Sequence, residues 1–288
     1  MKISEIYQKP GNHISFEIFP PKGDLEPETL SNTLNALSTL TPDFISVTCS
    51  AGGSGGSIDK TIDLAEIISQ SHGVTASSHL TCIHSTRQDI EYAVNKLKEK
   101  KIENILALRG DLVEGKQTAD FKNASELITF LKQFDLCIGA ACYPEGHVTC
   151  ESIDRDIDFM KHKEDMGADF FISQLFFDNE TFYRFREKTE KAGITRPIAA
   201  GIMPFLSKAQ ITRMIFSCGA SLPAEIIRLL VKYENDPEAL RCAGIAYATH
   251  QILDLLAQDV RYIHIYTMNQ PDIAHSIVGA IKRAGYIK

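Results

Sequence analysis

Hydrophobic residues along the chain follow two alternating periods. Short, almost continuously apolar runs occur at Ile14–Phe19, Phe44–Thr48, Thr75–Leu80, Ile105–Leu108, Leu136–Ala141, Phe170–Leu175, Pro197–Gly201 and Tyr262–Tyr266. Each predicts a short strand covered on both faces. Between the runs, apolar residues recur every three or four positions, the spacing of one helix face. Leu30, Leu34, Leu37 and Leu40 mark one such face, Ile62, Ala65 and Ile68 a second, and Ile90, Val94 and Leu97 a third. Ser85-x-x-Gln88 and Thr86-x-x-Asp89 are capping-box patterns that would open the third helix. Ile128 and Leu131, Ile157 and Met160, then Phe182 and Phe185 continue the series. Helical stretches at 210–216 and 237–258 precede the last strand.

Eight strand-then-helix units predict parallel strands wrapped by helices. The count of eight favours an α/β fold of the closed kind, a single (β/α)8 TIM barrel forming one domain over residues 1–288. An open dinucleotide-binding sheet would carry G-x-G-x-x-G after its first strand, and the chain has none there. The one low-complexity stretch, Ala51 to Ser57, follows the second strand. On a barrel it would be a loop of the catalytic face, where a lid could sit.

Composition narrows the function classes. With 288 residues, 44% of them hydrophobic, the chain can fill a large core. A net charge of −7 without a Lys/Arg cluster argues against nucleic acid. No apolar run reaches membrane-spanning length, and the first residues lack the apolar core of a signal peptide. The seven cysteines are scattered and form no C-x-x-C, which fits reduced thiols in a cytoplasmic protein.

In a barrel, chemistry gathers at the carboxyl ends of the strands. Glu17 stands alone in the apolar run Ile14-Ser15-Phe16-Glu17-Ile18-Phe19, just before Pro20-Pro21. A carboxylate is costly to bury there unless something uses it. Thr48 ends the second strand and His79-Leu80-Thr81 the third. Arg109-Gly110-Asp111 follows the fourth, and Tyr143-Pro144-Glu145-Gly146-His147 the fifth. The sixth run contains Ser173-Gln174, and the eighth ends Tyr266-Thr267-Met268-Asn269. Two patterns are decoys. Gly110 to Gln117 nearly matches a P-loop but has Gln117 where a magnesium-holding Ser or Thr belongs. His72, His79, His84 and His147 sit on different units without metal-ligand spacing, so no metal is expected.

These residues resemble a known family, the bacterial FAD-dependent 5,10-methylenetetrahydrofolate reductases. The matching runs are Ser15-Phe16-Glu17-Ile18-Phe19-Pro20-Pro21-Lys22, Ala107-Leu108-Arg109-Gly110-Asp111, Ala141-Cys142-Tyr143-Pro144-Glu145-Gly146-His147, Gln174-Leu175-Phe176-Phe177-Asp178 and Tyr266-Thr267-Met268-Asn269. The resemblance implies reduction of methylenetetrahydrofolate to methyltetrahydrofolate, a step of one-carbon metabolism that serves methionine biosynthesis. NAD(P)H would reduce FAD and leave before the folate binds. Glu17 would be the general acid that opens the methylene bridge, and Asp111 would steady the cationic iminium. It implies flavin contacts at Thr48, Cys49, Ala51, His79, Arg109, Gly110, Asp111, Ala124, Tyr143, His147, Asp156, His162 and Lys163. Substrate contacts carry over to Glu17, Thr48, Asp111, Gln174, Gln210 and Gln270. Three positions depart from the pattern. His162 and Gln270 stand where Arg is familiar, and Phe159 where an Asn can reach the adenosine end. Gln270 offers only neutral hydrogen bonds to the folate tail. A homo-oligomer is expected by family. Two other readings of the residues stay open: a flavin-free barrel lyase or aldolase with Glu17 as base, and a redox-partner-docking subunit of a larger reductase.

Overall fold

The structure is a computed structural model that describes residues 1–20, 27–49, 58–112, 115 and 117–288. Pro21 and Lys22, Ala51 with the rest of the glycine-rich stretch, and part of the near-P-loop lie outside the described residues. A short helix α1 (Ile3–Ile6) leads into β1 (His13–Ile18). There follow α2 (Pro27–Ser38), β2 (Phe44–Val47), α3 (Ile58–Glu66), β3 (Ala76–Thr81), α4 (Arg87–Glu99), β4 (Asn104–Leu108), α5 (Ala124–Leu131), β5 (Cys137–Cys142), α6 (Ile153–Met166), β6 (Phe170–Ser173), α7 (Asn179–Lys191) and β7 (Ile198–Ile202). The last unit is longer: α8 (Lys208–Cys218), α9 (Ala224–Lys232) and α10 (Pro237–Ala257) precede β8 (Tyr262–Tyr266), and α11 (Pro271–Arg283) follows it.

Each strand pairs in parallel with the next, and β8 closes on β1, so the sheet is a closed eight-stranded barrel. All eight predicted strands form, with ends displaced by a residue or two. The helix after β3 opens at Thr86, whose hydroxyl accepts from the Asp89 backbone N–H while Asp89 accepts from that of Thr86. Ser85 does not cap it; its hydroxyl donates to the Thr81 carbonyl at 3.1 Å. Helices α1, α9 and α11 are additions to the sequence reading.

Register sorts the side chains into two layers. Ile14, Phe16 and Ile18 of β1 join the large apolar cluster that packs strands against helices. The alternate residues Ser15 and Glu17 pair with His264 and Tyr266 of β8 and point to the barrel interior. Toward the amino-terminal face the interior is apolar. Phe44, Leu106, Cys137, Phe170, Ile172 and Ala199 pack there against Ile3, Ile6 and Tyr7 of the α1 segment. The Ile3 N–H donates to Asn104 Oδ1 at 2.8 Å and anchors that plug. The polar side chains that face the open end lie in the carboxyl half of the barrel, whereas Asn104 at the amino end is used to hold the plug. Among the described residues, no helix is long and apolar enough to cross a membrane.

Candidate active site

Glu17 sits where the polar half begins, its side chain 18% exposed. Two imidazoles flank it: His79 Nε2 lies 3.5 Å and His264 Nε2 3.6 Å from Glu17 Oε2. The backbone of Glu17 is held as well, because the Thr267 hydroxyl donates to its carbonyl at 2.8 Å. His264 is fully buried. Its Nδ1 is 2.7 Å from Ser15 Oγ, its Nε2 3.3 Å from Ser46 Oγ, and its ring stacks on Phe44. That imidazole cannot rotate without losing both hydroxyls, so it fixes the carboxylate's inner side. His79 is different. Burial pushes it down to about 4, against the opposing pull of the Glu17 charge, so it is neutral near pH 7. Its Nε2 is buried with no hydrogen-bond partner in the protein. A buried polar atom left open at a cleft is ready for a bound group.

Glu17 and His79 open into a hollow of about 550 Å³ over the barrel mouth. Thr48, Cys49, Arg109, Gly110, Asp111, Tyr143, His147 and Gln174 line it, with Tyr266 closing the β8 side. Tyr266 reaches this place because Gly201 has no side chain. Its hydroxyl donates to the Ser173 carbonyl at 2.8 Å, and a Cβ on Gly201 would lie 2.7 Å from that hydroxyl. Asp111 is exposed, on a turn that Gly110 makes at φ +86°. A side chain at Gly110 would be strained and would crowd Thr81.

A second hollow, about 650 Å³, lies outside the barrel between α5 and α6. Ala124, Asp156, His162 and Lys163 line it, and it shares Arg109, Tyr143 and His147 with the mouth. The two hollows therefore form one bent cleft. Lys163 Nζ donates to the Ala141 carbonyl at 2.8 Å and lies 5.7 Å from the Tyr143 ring centroid. Burial lowers its pKa and the neighbouring Asp156 raises it in part. Burial likewise raises the Asp156 carboxyl and pushes the Tyr143 phenol up to about 12. His147 is lowered by burial and by Arg109 beside it. His162 is exposed at the rim.

Two expected residues stand apart from the cleft lining. Gln210 Oε1 accepts from the Leu206 N–H at 2.7 Å and closes the loop after β7. Gln270 begins α11, and Arg241 Nη2 donates to its Oε1 at 2.8 Å while pairing with Asp272 at 2.5 Å. The arginine that residue 270 lacks thus arrives from α10. The sequence reading named Tyr266 as a strand-end residue but missed His264. Its signal was the period-two alternation of Tyr262-Ile263-His264-Ile265-Tyr266, which puts His264 on the face shared with Ser15 and Glu17.

Comparison with known proteins agrees with this geometry. The family model described as methylenetetrahydrofolate reductase matches residues 2–282. The 5,10-methylenetetrahydrofolate reductase of Pectobacterium carotovorum is 34% identical over 266 residues, covering 92% of this chain and 88% of its own. That of Escherichia coli K12 is also 34% identical, with 92% and 89% covered. Among solved structures, an uncharacterized protein from Clostridium thermocellum superposes with a TM-score of 0.67 over all of both chains at 15% identity. It is described as binding two copies of 5-methyl-5,6,7,8-tetrahydrofolic acid. A 2,3-dimethylmalate lyase superposes with a TM-score of 0.50 at 12% identity. At such identities the superpositions show the barrel alone, which reductases and lyases share. The matches along the sequence separate the two, and by them the chain belongs to the methylenetetrahydrofolate reductase family.

Proposed function

We propose that this chain reduces 5,10-methylenetetrahydrofolate to 5-methyltetrahydrofolate, with FAD held in the bent cleft and NAD(P)H as the electron source. The observation that carries the reading is the cleft's shape. One arm over the mouth suits a tricyclic ring beside Glu17 and Asp111. The other, lined by Lys163 and Asp156, suits a nucleotide, and Arg109, Tyr143 and His147 join them. The donor set fits the group: an arginine and a lysine for phosphates, an aromatic ring for the linker, and an unpaired imidazole nitrogen at the mouth. When bound, FAD would supply the hydride chemistry that links the nicotinamide to the folate.

The chain's own residues do the rest. The methylene bridge opens only when the departing folate nitrogen N10 receives a proton. Glu17, which lines the hollow, delivers it in this reading, with its approach set by His264, Ser15 and Ser46. The Asp111 carboxylate faces the same hollow and stabilises the cationic iminium. Gln174 keeps its side-chain N–H groups for the pterin, because its Oε1 already accepts from the Leu175 N–H at 2.9 Å. Thr48 and Cys49 complete the flavin contacts in the mouth; Ala51 for the flavin, and Gln210 and Gln270 for the substrate, are assigned by sequence resemblance alone. The same reading makes the protein a one-domain, cytoplasmic homo-oligomer that works on NAD(P)H, with a redox partner subunit as the other electron source it could use. Adding FAD to the purified protein tests it. A bound-flavin absorbance spectrum that NADH or NADPH bleaches supports the reading, and protein that stays colourless refutes it.

A further inference from the structure

Helix α10 carries Gly244, Tyr247, Gln251 and Asp254 on one face, spaced by three, four and three positions. Gln251 is 4% exposed, and a glutamine is seldom buried unless its amide is used. Its Nε2 donates to the Phe176 carbonyl at 3.0 Å. One turn earlier, the Tyr247 hydroxyl donates to the Phe177 carbonyl at 2.7 Å. One turn later, Asp254 Oδ2 accepts from Asn179 Nδ2 at 2.7 Å and from the Tyr183 hydroxyl at 2.6 Å. These bonds all end on residues 176–183, the segment that leaves β6. Because β6 stops at Ser173, the buried Phe176 and Phe177 have left the strand ladder, and α10 supplies donors to their carbonyls. Gln174, which lines the mouth, lies just before them. The remaining member of the stripe grips the next loop. A Cβ on Gly244 would lie 1.7 Å from the Phe205 carbonyl oxygen, so glycine lets α10 touch the loop after β7. That loop continues into Leu206, whose N–H donates to Gln210.

We propose that Tyr247 and Gln251 are positioning residues, which hold the segment after β6 so that Gln174 meets the folate while neither of them touches it. This rests on the mouth taking a folate. Water or a backbone N–H could satisfy the two carbonyls. Side-chain donors aimed at consecutive carbonyls also fix the segment's distance from α10 and its rotation. The outer arm of the cleft belongs to α5 and α6, away from this stripe. Loss of the two donors is therefore felt by the folate and not by FAD.

Gln251→Met and Tyr247→Phe each remove a donor at nearly constant size. Titration of FAD-loaded protein with methylenetetrahydrofolate, read by the flavin absorbance, tests the proposal. Each variant should bind the folate about 3- to 10-fold more weakly, the size of one lost hydrogen bond, while FAD affinity keeps its wild-type value. In a Gln174→Ala background the same substitutions should change folate binding by less than about twofold, because their effect passes through Gln174. Unchanged folate binding in the variants overturns the proposal, even where the melting temperature falls. An equal loss of FAD affinity overturns it, as does a folate loss that persists in full without Gln174. Tyr247→Phe removes only a hydroxyl and carries the test if Gln251→Met does not fold. A wild-type protein that binds FAD but no folate overturns the functional reading itself and this proposal with it.

Discussion

At the scale of single residues, two carboxylates of the mouth hollow carry different duties because their surroundings differ. Glu17 is tucked between His79 and His264 at the end of a buried strand, whereas Asp111 is exposed on a glycine turn. Replacing Glu17 by Gln keeps size and hydrogen bonding but removes the transferable proton. Flavin reduction by the nicotinamide should persist, while reoxidation by methylenetetrahydrofolate falls by about 100- to 10,000-fold. Rapid-mixing kinetics of the two half-reactions separates these, and equal loss in both would make Glu17 a structural residue. The lone Glu in an apolar run was legible without any structure. The imidazoles beside it were legible only in part. His79 was found as a strand-end residue, but His264 lies mid-strand, and its importance depends on register between β1 and β8, 249 positions apart in sequence.

At the scale of elements, strands were readable because they are buried on both faces and so appear as unbroken apolar runs. The helix α11, with Ile273, Ile277, Val278 and Ile281 buried, has the same amphipathic signal as its predecessors. It was passed over because the unit count already closed at eight strands. Helix α9 was passed over for a different reason: its buried Ile226 and Leu230 serve the extra apolar cluster around Phe205, Met203 and Leu240 rather than the barrel repeat. Where strands meet the site, glycine is a packing requirement. A Cβ on Gly201 would lie 2.2 Å from the Ser173 carbonyl, so Gly201→Ala must push β6 or Tyr266 away. We expect a loss of about 1–3 kcal/mol in stability from overpacking, seen as a lower melting temperature, together with weaker folate binding. An unchanged melting temperature would show that the contact relaxes freely. At the opposite face, His13 Nδ1 lies 3.1 Å from Asp43 Oδ1 and Nε2 lies 3.1 Å from the Lys9 carbonyl. Burial lowers the His13 pKa, but the Asp43 hydrogen bond and charge and the Lys9 carbonyl outweigh it, so the net shift is upward from 6.5. A raised folded-state pKa means stability present in full below about pH 6.5 and lost as pH rises through the higher folded value. His13→Gln should flatten that part of the stability–pH curve, and denaturant melts between pH 5.5 and about 8.5 would show it. A wild-type curve already flat in that window would refute the assignment.

For the whole molecule, the fold supplies a barrel closed below by α1 and open above, with one cleft running from its mouth to the groove between α5 and α6. Such a site suits the proposed reaction, in which two substrates would use one face in turn while a long cofactor stays. The barrel class and the lining of the mouth could be expected from eight runs and their strand-end residues, whereas the outer arm, on α5 and α6, was expected only from the family resemblance. The pairing of Gln270 with Arg241 could not, because it joins two helices through side chains separated by 29 positions. An arginine at 270 would face Arg241 across that contact. The central claim is that this cleft passes hydride from a nicotinamide to a folate through bound FAD. The most direct measurement is made without oxygen on FAD-loaded protein, following the flavin's absorbance near 450 nm, a wavelength set by the cofactor. The account predicts that NADH or NADPH bleaches the band, and that methylenetetrahydrofolate then restores it with one methyltetrahydrofolate formed per flavin. A band that stays bleached when the folate is added, or methyltetrahydrofolate formed with no flavin present, would contradict it.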